Sequence, residues 1–215
     1  MAQAVIAVRG GPQAKSRCAE TLNGSDRAEL TAAMLEDMLA AVAGCQAVTQ
    51  TWVVTPTPAL AELAAGCGAR VIRQPRPAGL NPALRQAITE VADQAPYEPL
   101  LLMPGDLPGL APDDLAAAAL LTRTHAVVLA PAADGGTGLM GLRAGAALPP
   151  RFGPHSFRRH AAEAERRGLT VAVMVADSLS RDVDRPEDLL HLLKTGVASR
   201  TAAFLRARLQ PRIRS

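Results

Sequence analysis

Leu100-Leu101-Leu102-Met103 is apolar at every position. A half-exposed strand alternates apolar with polar residues, because successive side chains point to opposite faces. A run without alternation belongs to a strand covered on both faces, as in a parallel sheet between two layers of helices. The segments around it agree. Ala4 to Val8 is another short apolar run, and Thr51 to Thr55, Ala69 to Arg73 and Ala126 to Pro131 read as further strands. Between them the period becomes helical. From Ser25 to Ala43 the residues Leu30, Met34, Leu35, Met38, Leu39 and Val42 recur at three- and four-residue steps. Ser25 or Asp26 is placed to cap that helix. Pro58 to Gly66, Pro82 to Gln94 and a segment opening at Asp113 complete a β-α-β-α-β-α-β-α-β series. This predicts an α/β fold with an open, mostly parallel sheet and helices on both faces.

Beyond Pro131 the alternation changes. Gly138 to Arg143 and Thr170 to Val175 read as strands, while Ser156 to Gly168, Pro186 to Leu193 and Ala198 to Leu209 read as helices. A length of 215 residues suits one domain, and no repeat or long linker divides it. Residues from about 197 to 215 form a basic C-terminal helix and tail.

Hydrophobic residues make up 48% of the chain but aromatics only 2%, so the core is built from Ala, Val and Leu. So few aromatic rings exclude a protein that stacks nucleic-acid bases. Cys18, Cys45 and Cys67 have no paired spacing, which points to a reducing compartment. No leader-like N-terminus and no membrane-length apolar stretch is present, so the expected location is cytoplasmic, away from any membrane. His125, His155, His160 and His191 lack zinc-ligand grouping, and each reads as a surface or cap residue. Charge is uneven: residues 1–148 carry a net −3 and residues 149–215 a net +6. A basic C-terminal third beside acidic motifs suits an anionic substrate carried with a metal.

Ligands of open parallel sheets bind outside the carboxyl ends of the strands. Two motifs fall at such ends. Arg9-Gly10-Gly11-Pro12-Gln13-Ala14-Lys15-Ser16-Arg17 follows the first strand. Gly10 and Gly11 let backbone N–H groups approach phosphate, and Lys15 and Arg17 bring charge. A P-loop match fails, since Arg9 and Ala14 stand at its two glycine positions. The second motif, Pro104-Gly105-Asp106-Leu107-Pro108, leaves the fully apolar strand. Asp106 there either turns a loop or holds a metal.

Near the C-terminus, Asp182-Val183-Asp184 precedes Arg185-Pro186. If the segment is extended, Asp182 and Asp184 share one side, and close carboxylates repel unless a cation sits between them. Mg²⁺ is suited, because it takes one or two carboxylates and completes its shell with water and phosphate oxygens. The alternative is a pair of solvated aspartates before the helix that Pro186 opens. Asp134-Gly135-Gly136-Thr137-Gly138 and Phe152-Gly153-Pro154-His155-Ser156 look shaped for anions, the latter at a helix start. Ser156 also reads as an N-cap. Asn81, in Gly79-Leu80-Asn81, reads either as a contact to a base or as the N-cap of the third helix.

These motifs in this order, over residues 4–193, resemble the 2-phospho-L-lactate guanylyltransferase family of coenzyme F-420 biosynthesis. Members act on 2-phospholactate, phosphoenolpyruvate or 3-phosphoglycerate. The resemblance is carried by Ala14-Lys15-Ser16-Arg17, Gly79-Leu80-Asn81, Gly105-Asp106-Leu107-Pro108, Asp134-Gly135-Gly136-Thr137, Phe152 to Phe157 with His160, and Asp182 to Leu189. It implies a Rossmann-like nucleotidyltransferase fold that joins GTP to a small phosphorylated carboxylic acid and releases pyrophosphate. It implies Mg²⁺ on Asp106, Asp182 and Asp184, with Lys15 and Asp106 catalytic. It puts the phospho-acid on Thr137, Gly153 and Ser156 and Lys15 on the GTP phosphates; with the residue readings above, the expected nucleotide-binding set is Gly10, Gly11, Lys15, Arg17 and Asn81. Hand-over to a deazaflavin transferase and a homodimer go with it. Two departures stand out: Arg9-Gly10-Gly11-Pro12 replaces a Lys-Pro-Leu-like opening, and Gly138 replaces an Asn. The rival readings are a molybdenum-cofactor or sugar-phosphate nucleotidyltransferase, and a non-catalytic GTP-binding relative.

Overall fold

The computed structural model describes residues 1–11, 14–194 and 199–213. Seven strands form one sheet: β1 (Ala2–Ala7), β2 (Val48–Thr55), β3 (Arg70–Arg73), β4 (Leu100–Pro104), β5 (Val127–Pro131), β6 (Thr137–Leu142) and β7 (Val171–Val173). The longer helices are α1 (Gly24–Ala43), α2 (Pro58–Gly66), α3 (Leu80–Gln94), α4 (Pro112–Leu121), α5 (Ser156–Arg166), α7 (Pro186–Lys194) and α8 (Arg200–Ile213). Two short turns of helix, η1 (Ser16–Cys18) and α6 (Asp177–Ser180), carry no periodic signal in the sequence.

The strand order is β3-β2-β1-β4-β6-β5-β7. Every pairing is parallel except those of β6, which runs antiparallel to both β4 and β5. The cause is the short link from β5 to β6, since a parallel return needs a crossover of a dozen residues or more. The link closes as a turn, with Ala132 N–H donating to the Gly136 carbonyl at 3.1 Å and Gly136 N–H to Asp134 Oδ1 at 2.7 Å.

The apolar run of β4 is covered on both faces. Leu101 and Met103 enter a core layer with Leu35 and Met38 of α1, Leu60 of α2 and Leu115 of α4. Leu100 and Leu102 enter the opposite layer with Leu84 and Val91 of α3 and Ala164 of α5. A third cluster lies away from the sheet: Cys18, Leu22, Leu30, Met34, Val183, Leu189 and Leu205. It packs α8 against α1 and behind the Asp182–Asp184 segment. The first turn of α8 is anchored where Arg200 and Thr201 N–H donate to the Asp37 carboxylate at 2.8 and 2.9 Å. The basic C-terminal segment is thus built into the fold as far as it is described; residues 197–198 and 214–215 of the expected helix and tail lie outside the described residues.

Two expected caps are replaced. Asn23, not Ser25 or Asp26, caps α1, and Asp26 completes a reciprocal capping box. Gly79, with φ 92°, occupies the cap position of α3, so Asn81 lies inside that helix. No helix among the described residues is long and apolar enough to cross a membrane.

Candidate active site

The parallel strands deliver their loops to one edge of the sheet. Asp106 follows β4 through Gly105, whose N–H donates to the Ala7 carbonyl at 2.9 Å. A Cβ on Gly105 would stand 2.5 Å from Val8 Cβ, so only glycine lets β4 and β1 end this close together. The Asp106 carbonyl accepts from Val183 N–H at 3.1 Å, which draws the distant acidic segment to the end of β4. Val183 is buried in the third cluster, which leaves Asp182 and Asp184 facing the cleft. Asp188 holds the turn beyond them, accepting from Asp184 and Arg185 N–H at 3.0 and 2.7 Å.

Asp106, Asp182 and Asp184 each offer an oxygen within 4.8 Å of the others. Lys15 is held among them: its Nζ donates to Asp106 Oδ2 at 2.7 Å and to Asp184 Oδ1 at 2.8 Å. Its backbone is left-handed, φ 50°, which is uncommon outside glycine and turns the side chain into the cluster. Burial opposes the Lys15 charge, but Asp106 and Asp184 outweigh it and lift the group to about 12. Asp184 goes the other way. Burial would raise it, yet Lys15, Arg17 and Arg185 hold it below the ordinary carboxylate range. Asp182 makes no ion pair among the described residues, and the Lys15 charge only partly helps it. Burial and the charges of Asp106, Asp184 and Asp134 push it up to about 6.

The cluster fits a cation. Asp106 Oδ1 is buried without a hydrogen-bond partner, and a buried carboxylate oxygen is costly to leave unsatisfied. An all-oxygen set suits a hard divalent ion such as Mg²⁺.

The glycine-rich loop is less open than its sequence suggests. Gly10 N–H already donates to Thr57 Oγ1 at 3.1 Å, and a Cβ on Gly10 would meet Leu60 Cδ1 at 2.6 Å. Gly11 has φ 95°, and Pro12 and Gln13 lie outside the described residues. Arg17 is largely exposed and reaches Asp184 Oδ2 at 3.2 Å.

Across the cleft, Thr137 opens β6 and Ser156 opens α5. The cap position of α5 belongs to His155, with φ 55°, so Ser156 is the first helical residue and not its cap. Ser156 Oγ–H donates to Thr137 Oγ1 at 3.0 Å. Gly153 takes φ 123°, a conformation open to glycine, and its carbonyl accepts from Ser156 N–H at 3.0 Å. Asn81 clasps this loop. Its Oδ1 accepts from Phe152 N–H at 2.7 Å and its Nδ2 donates to the Phe152 carbonyl at 3.0 Å. His160 is completely buried, against the expectation of a surface or cap residue.

Gly138 also has a steric explanation. A Cβ there would lie 1.7 Å from the Leu179 carbonyl oxygen, where α6 crosses β6.

Three adjoining clefts run along this edge. The first, about 280 Å³, lies at the ends of β1, β2 and β3 and is lined by Val8, Gln74 and Gly79. The second, about 210 Å³, holds Lys15, Asp106 and Asp184. The third, about 220 Å³, is lined by Thr137, Gly153, Asp182 and Asp184. Leu80 borders all three. Gln74 belongs to none of the motifs read from the sequence, because nothing marks one Gln after a short strand as special. In the fold it is buried, and its Nε2 donates to Gln86 Oε1 at 3.5 Å, while Gln86 Nε2 donates to Glu90 Oε1 at 2.8 Å. A carboxylate only accepts. Glu90 therefore sets the direction of both amides, leaving the Gln74 carbonyl oxygen as the group free to accept.

Comparison with known proteins identifies the family. The model of the family "Guanylyl transferase CofC like" matches residues 2–211. The chain belongs to the CofC-like guanylyltransferase family. A 3-phospho-D-glycerate guanylyltransferase of Phenylobacterium zucineum is 52% identical over 208 residues, 95% of either chain. A phosphoenolpyruvate guanylyltransferase of Roseiflexus castenholzii is 40% identical over 189 residues, 88% of this chain and 86% of its own. Among solved structures, a candidate nucleotide-diphospho-sugar transferase from Desulfovibrio desulfuricans G20 aligns with TM-score 0.81 at 22% identity, covering 96% of this guanylyltransferase and 95% of that chain. A nucleotidyl transferase from Methanothermobacter aligns with TM-score 0.63 at 20% identity, over 96% and 99% of the two chains. These likenesses show the Rossmann-like α/β fold of nucleotidyltransferases.

Proposed function

We propose that this guanylyltransferase transfers the guanylyl unit of GTP to a small phosphorylated carboxylic acid in coenzyme F-420 biosynthesis. The observation that carries the reading is the row of three clefts with Lys15 and the three aspartates at its centre. The base enters the cleft at β1–β3, the triphosphate crosses Lys15, and the acid lies against Thr137 and Gly153, with Ser156 buried behind Thr137 and acting through it. Identity of 52% to a relative named for 3-phospho-D-glycerate makes that acid the first choice.

A phosphate oxygen of the acid attacks the α-phosphorus of GTP. The bond from that phosphorus to the bridging oxygen breaks, and pyrophosphate leaves with its electrons. A phosphate oxyanion is already nucleophilic near neutral pH, so the protein aligns the reactants and neutralises charge. Lys15 meets the charge growing on the leaving group. Asp106, Asp182 and Asp184 are the residues that would hold Mg²⁺, which supplies charge neutralisation at the phosphates. Gly11 and Arg17 border the phosphate path. Gln74 reads the base through its carbonyl oxygen, an acceptor suited to the N1–H and N2–H donors of guanine. Asn81 acts through the loop at Phe152. The chain works as one domain in the cytoplasm. Hand-over of the product to a deazaflavin transferase, and assembly as a homodimer, extend the same proposal.

The test is incubation with Mg²⁺, each nucleoside triphosphate and each candidate acid, reading pyrophosphate and product mass. Product is expected from GTP with 3-phosphoglycerate or phosphoenolpyruvate. Equal pyrophosphate from all four nucleotides, or none with any acid, would refute the proposal.

A further inference from the structure

Thr137 and His160 lie 23 residues apart, with Thr137 Oγ1 3.0 Å from His160 Nδ1. On the other side of the ring, Arg151 N–H donates to His160 Nε2 at 2.8 Å. A backbone N–H cannot accept, so Nε2 must carry a lone pair. A neutral imidazole then has its hydrogen on Nδ1, which donates to Thr137 Oγ1. The ring stays neutral: burial, with Arg159 and Arg151 nearby, holds it down at about 4. Ser156 Oγ–H supplies a second hydrogen to Thr137 Oγ1 at 3.0 Å. Both lone pairs of that oxygen are then used. Its own hydrogen has one direction left, and Thr137 lines the third cleft. Exchanging the roles of the two hydroxyls would leave the spare hydrogen on Ser156, which is fully buried.

We propose that His160 is a positioning residue that makes the Thr137 hydroxyl an obligate hydrogen-bond donor to an anionic oxygen of the acceptor substrate. The inference rests on the acceptor site assigned above. A hydroxyl that cannot accept favours phosphate or carboxylate oxygens, meets a neutral hydroxyl only through that group's lone pairs, and turns away ammonium groups. The ring is kept in place by Phe152, edge-on at 5.4 Å between centroids, which Asn81 clasps through its backbone.

Two variants and one spectrum test this. In His160→Asn the amide N–H falls near the position of Nδ1; in His160→Gln it falls near Nε2. Affinity for 3-phosphoglycerate, phosphoenolpyruvate, inorganic phosphate and unphosphorylated glycerate is measured by calorimetry, and GTP affinity with a fluorescent GTP analogue. His160→Gln is expected to weaken the acid by about tenfold, one charge-assisted hydrogen bond, while His160→Asn keeps most of it and GTP affinity holds in both. Phosphate and glycerate tell which end of the acid Thr137 grips. Nitrogen-15 spectra of histidine-labelled wild type should show Nδ1 protonated and Nε2 bare. A proton on Nε2, or equal losses in the two variants, or no loss in either, overturns the inference. Wild type that binds acid without releasing pyrophosphate would sink the guanylyl-transfer reading, and the ranking of the variants would still decide this one. Wild type that binds none of the four anions overturns the inference as well.

Discussion

The Lys15 ammonium and the Asp106 carboxylate lie 2.7 Å apart, across a separation of 91 residues. One follows β1 and the other follows β4, which are neighbours in the sheet. The same ammonium reaches Asp184, 169 residues away, at 2.8 Å. A single side chain therefore draws three segments together and offsets the repulsion of a carboxylate cluster. Lys15 is itself a cation within the site that would hold a metal.

Removing it should act in two opposite directions. In Lys15→Met the turnover is expected to fall about a hundredfold or more, as one electrostatic partner of the leaving group is lost. Affinity for Mn²⁺ or Mg²⁺ without nucleotide should rise, because a competing charge is gone. Calorimetry of metal binding checks the second half. A weaker metal in Lys15→Met would mean that lysine and metal do not compete for these carboxylates.

Asp182 links pH to both stability and metal binding. Its carboxyl moves from an ordinary 3.8 to about 6 in the fold. The folded state then binds the proton more tightly than the unfolded one, so this group's contribution to stability falls as pH rises through that window. At pH 7 the charged Asp182 costs the metal-free protein ~1–2 kcal/mol after allowance for solvent screening. Asp182→Asn should therefore melt higher than wild type at pH 7, with the difference fading towards pH 4, and should have almost no turnover. Affinity of the metal-free protein for Mg²⁺ should decline as pH drops below about 6, where Asp182 takes up a proton. Thermal melts across pH 4–8 decide it: a variant that melts lower at pH 7 contradicts the assignment.

Much of this arrangement is readable before folding, and the rest is not, for identifiable reasons. The apolar run at Leu100–Met103 announces a strand covered on both faces because no position is left for solvent. Pro58 and Gly66 mark the two ends of α2. The direction of β6 is hidden, since a period of two has no polarity; the tight turn through Asp134 and Gly136 sets it. The meeting of Lys15, Asp106 and Asp184 depends on strand order. The burial of His160 is obscured by its charged neighbours Arg158 and Arg159. A signal is present nonetheless: Ser156, His160 and Ala164 recur every fourth residue and form the buried face of α5.

Gly138 should resist replacement. Its absent Cβ leaves room for the Leu179 carbonyl oxygen, which a methyl group would overlap at 1.7 Å. A contact with backbone cannot be relieved by a rotamer change, so Gly138→Ala is expected to cost at least the ~1–3 kcal/mol typical of overpacking. Relief would shift α6, which leads directly into Asp182, so the KM for the acid should rise as well. Urea unfolding with kinetics at fixed GTP tests the pair of effects. Unchanged stability would show that α6 moves freely.

The C-terminal helix should matter to the site it packs behind. Leu205 is fully buried beside Val183, which lies between Asp182 and Asp184. Leu205→Ala is expected to cost about 2–5 kcal/mol, as for other buried leucines. Turnover should fall further than in Val91→Ala, a truncation in the opposite core layer. Equal activity in the two variants, at matched folded fractions, would show that α8 supports the fold but not the aspartates.

The last expectation concerns choice of base. Glu90 accepts from Gln86, Gln86 accepts from Gln74, and Gln74 lines the first cleft with its carbonyl oxygen left to accept. Guanine offers donors at N1 and N2, whereas adenine presents an acceptor at N1, so this oxygen attracts one and repels the other. Gln74→Leu should reduce kcat/KM for GTP by about tenfold or more, since a site built to hydrogen-bond discriminates strongly. Glu90→Gln is the sharper test, because it never contacts the nucleotide. An amide at residue 90 can donate or accept, so both amides of the relay become free to turn over, and Gln74 can then donate to adenine. The ratio of GTP to ATP turnover should narrow in Glu90→Gln while overall stability changes little. An unchanged ratio in both variants would place base recognition elsewhere in the cleft, on its backbone groups.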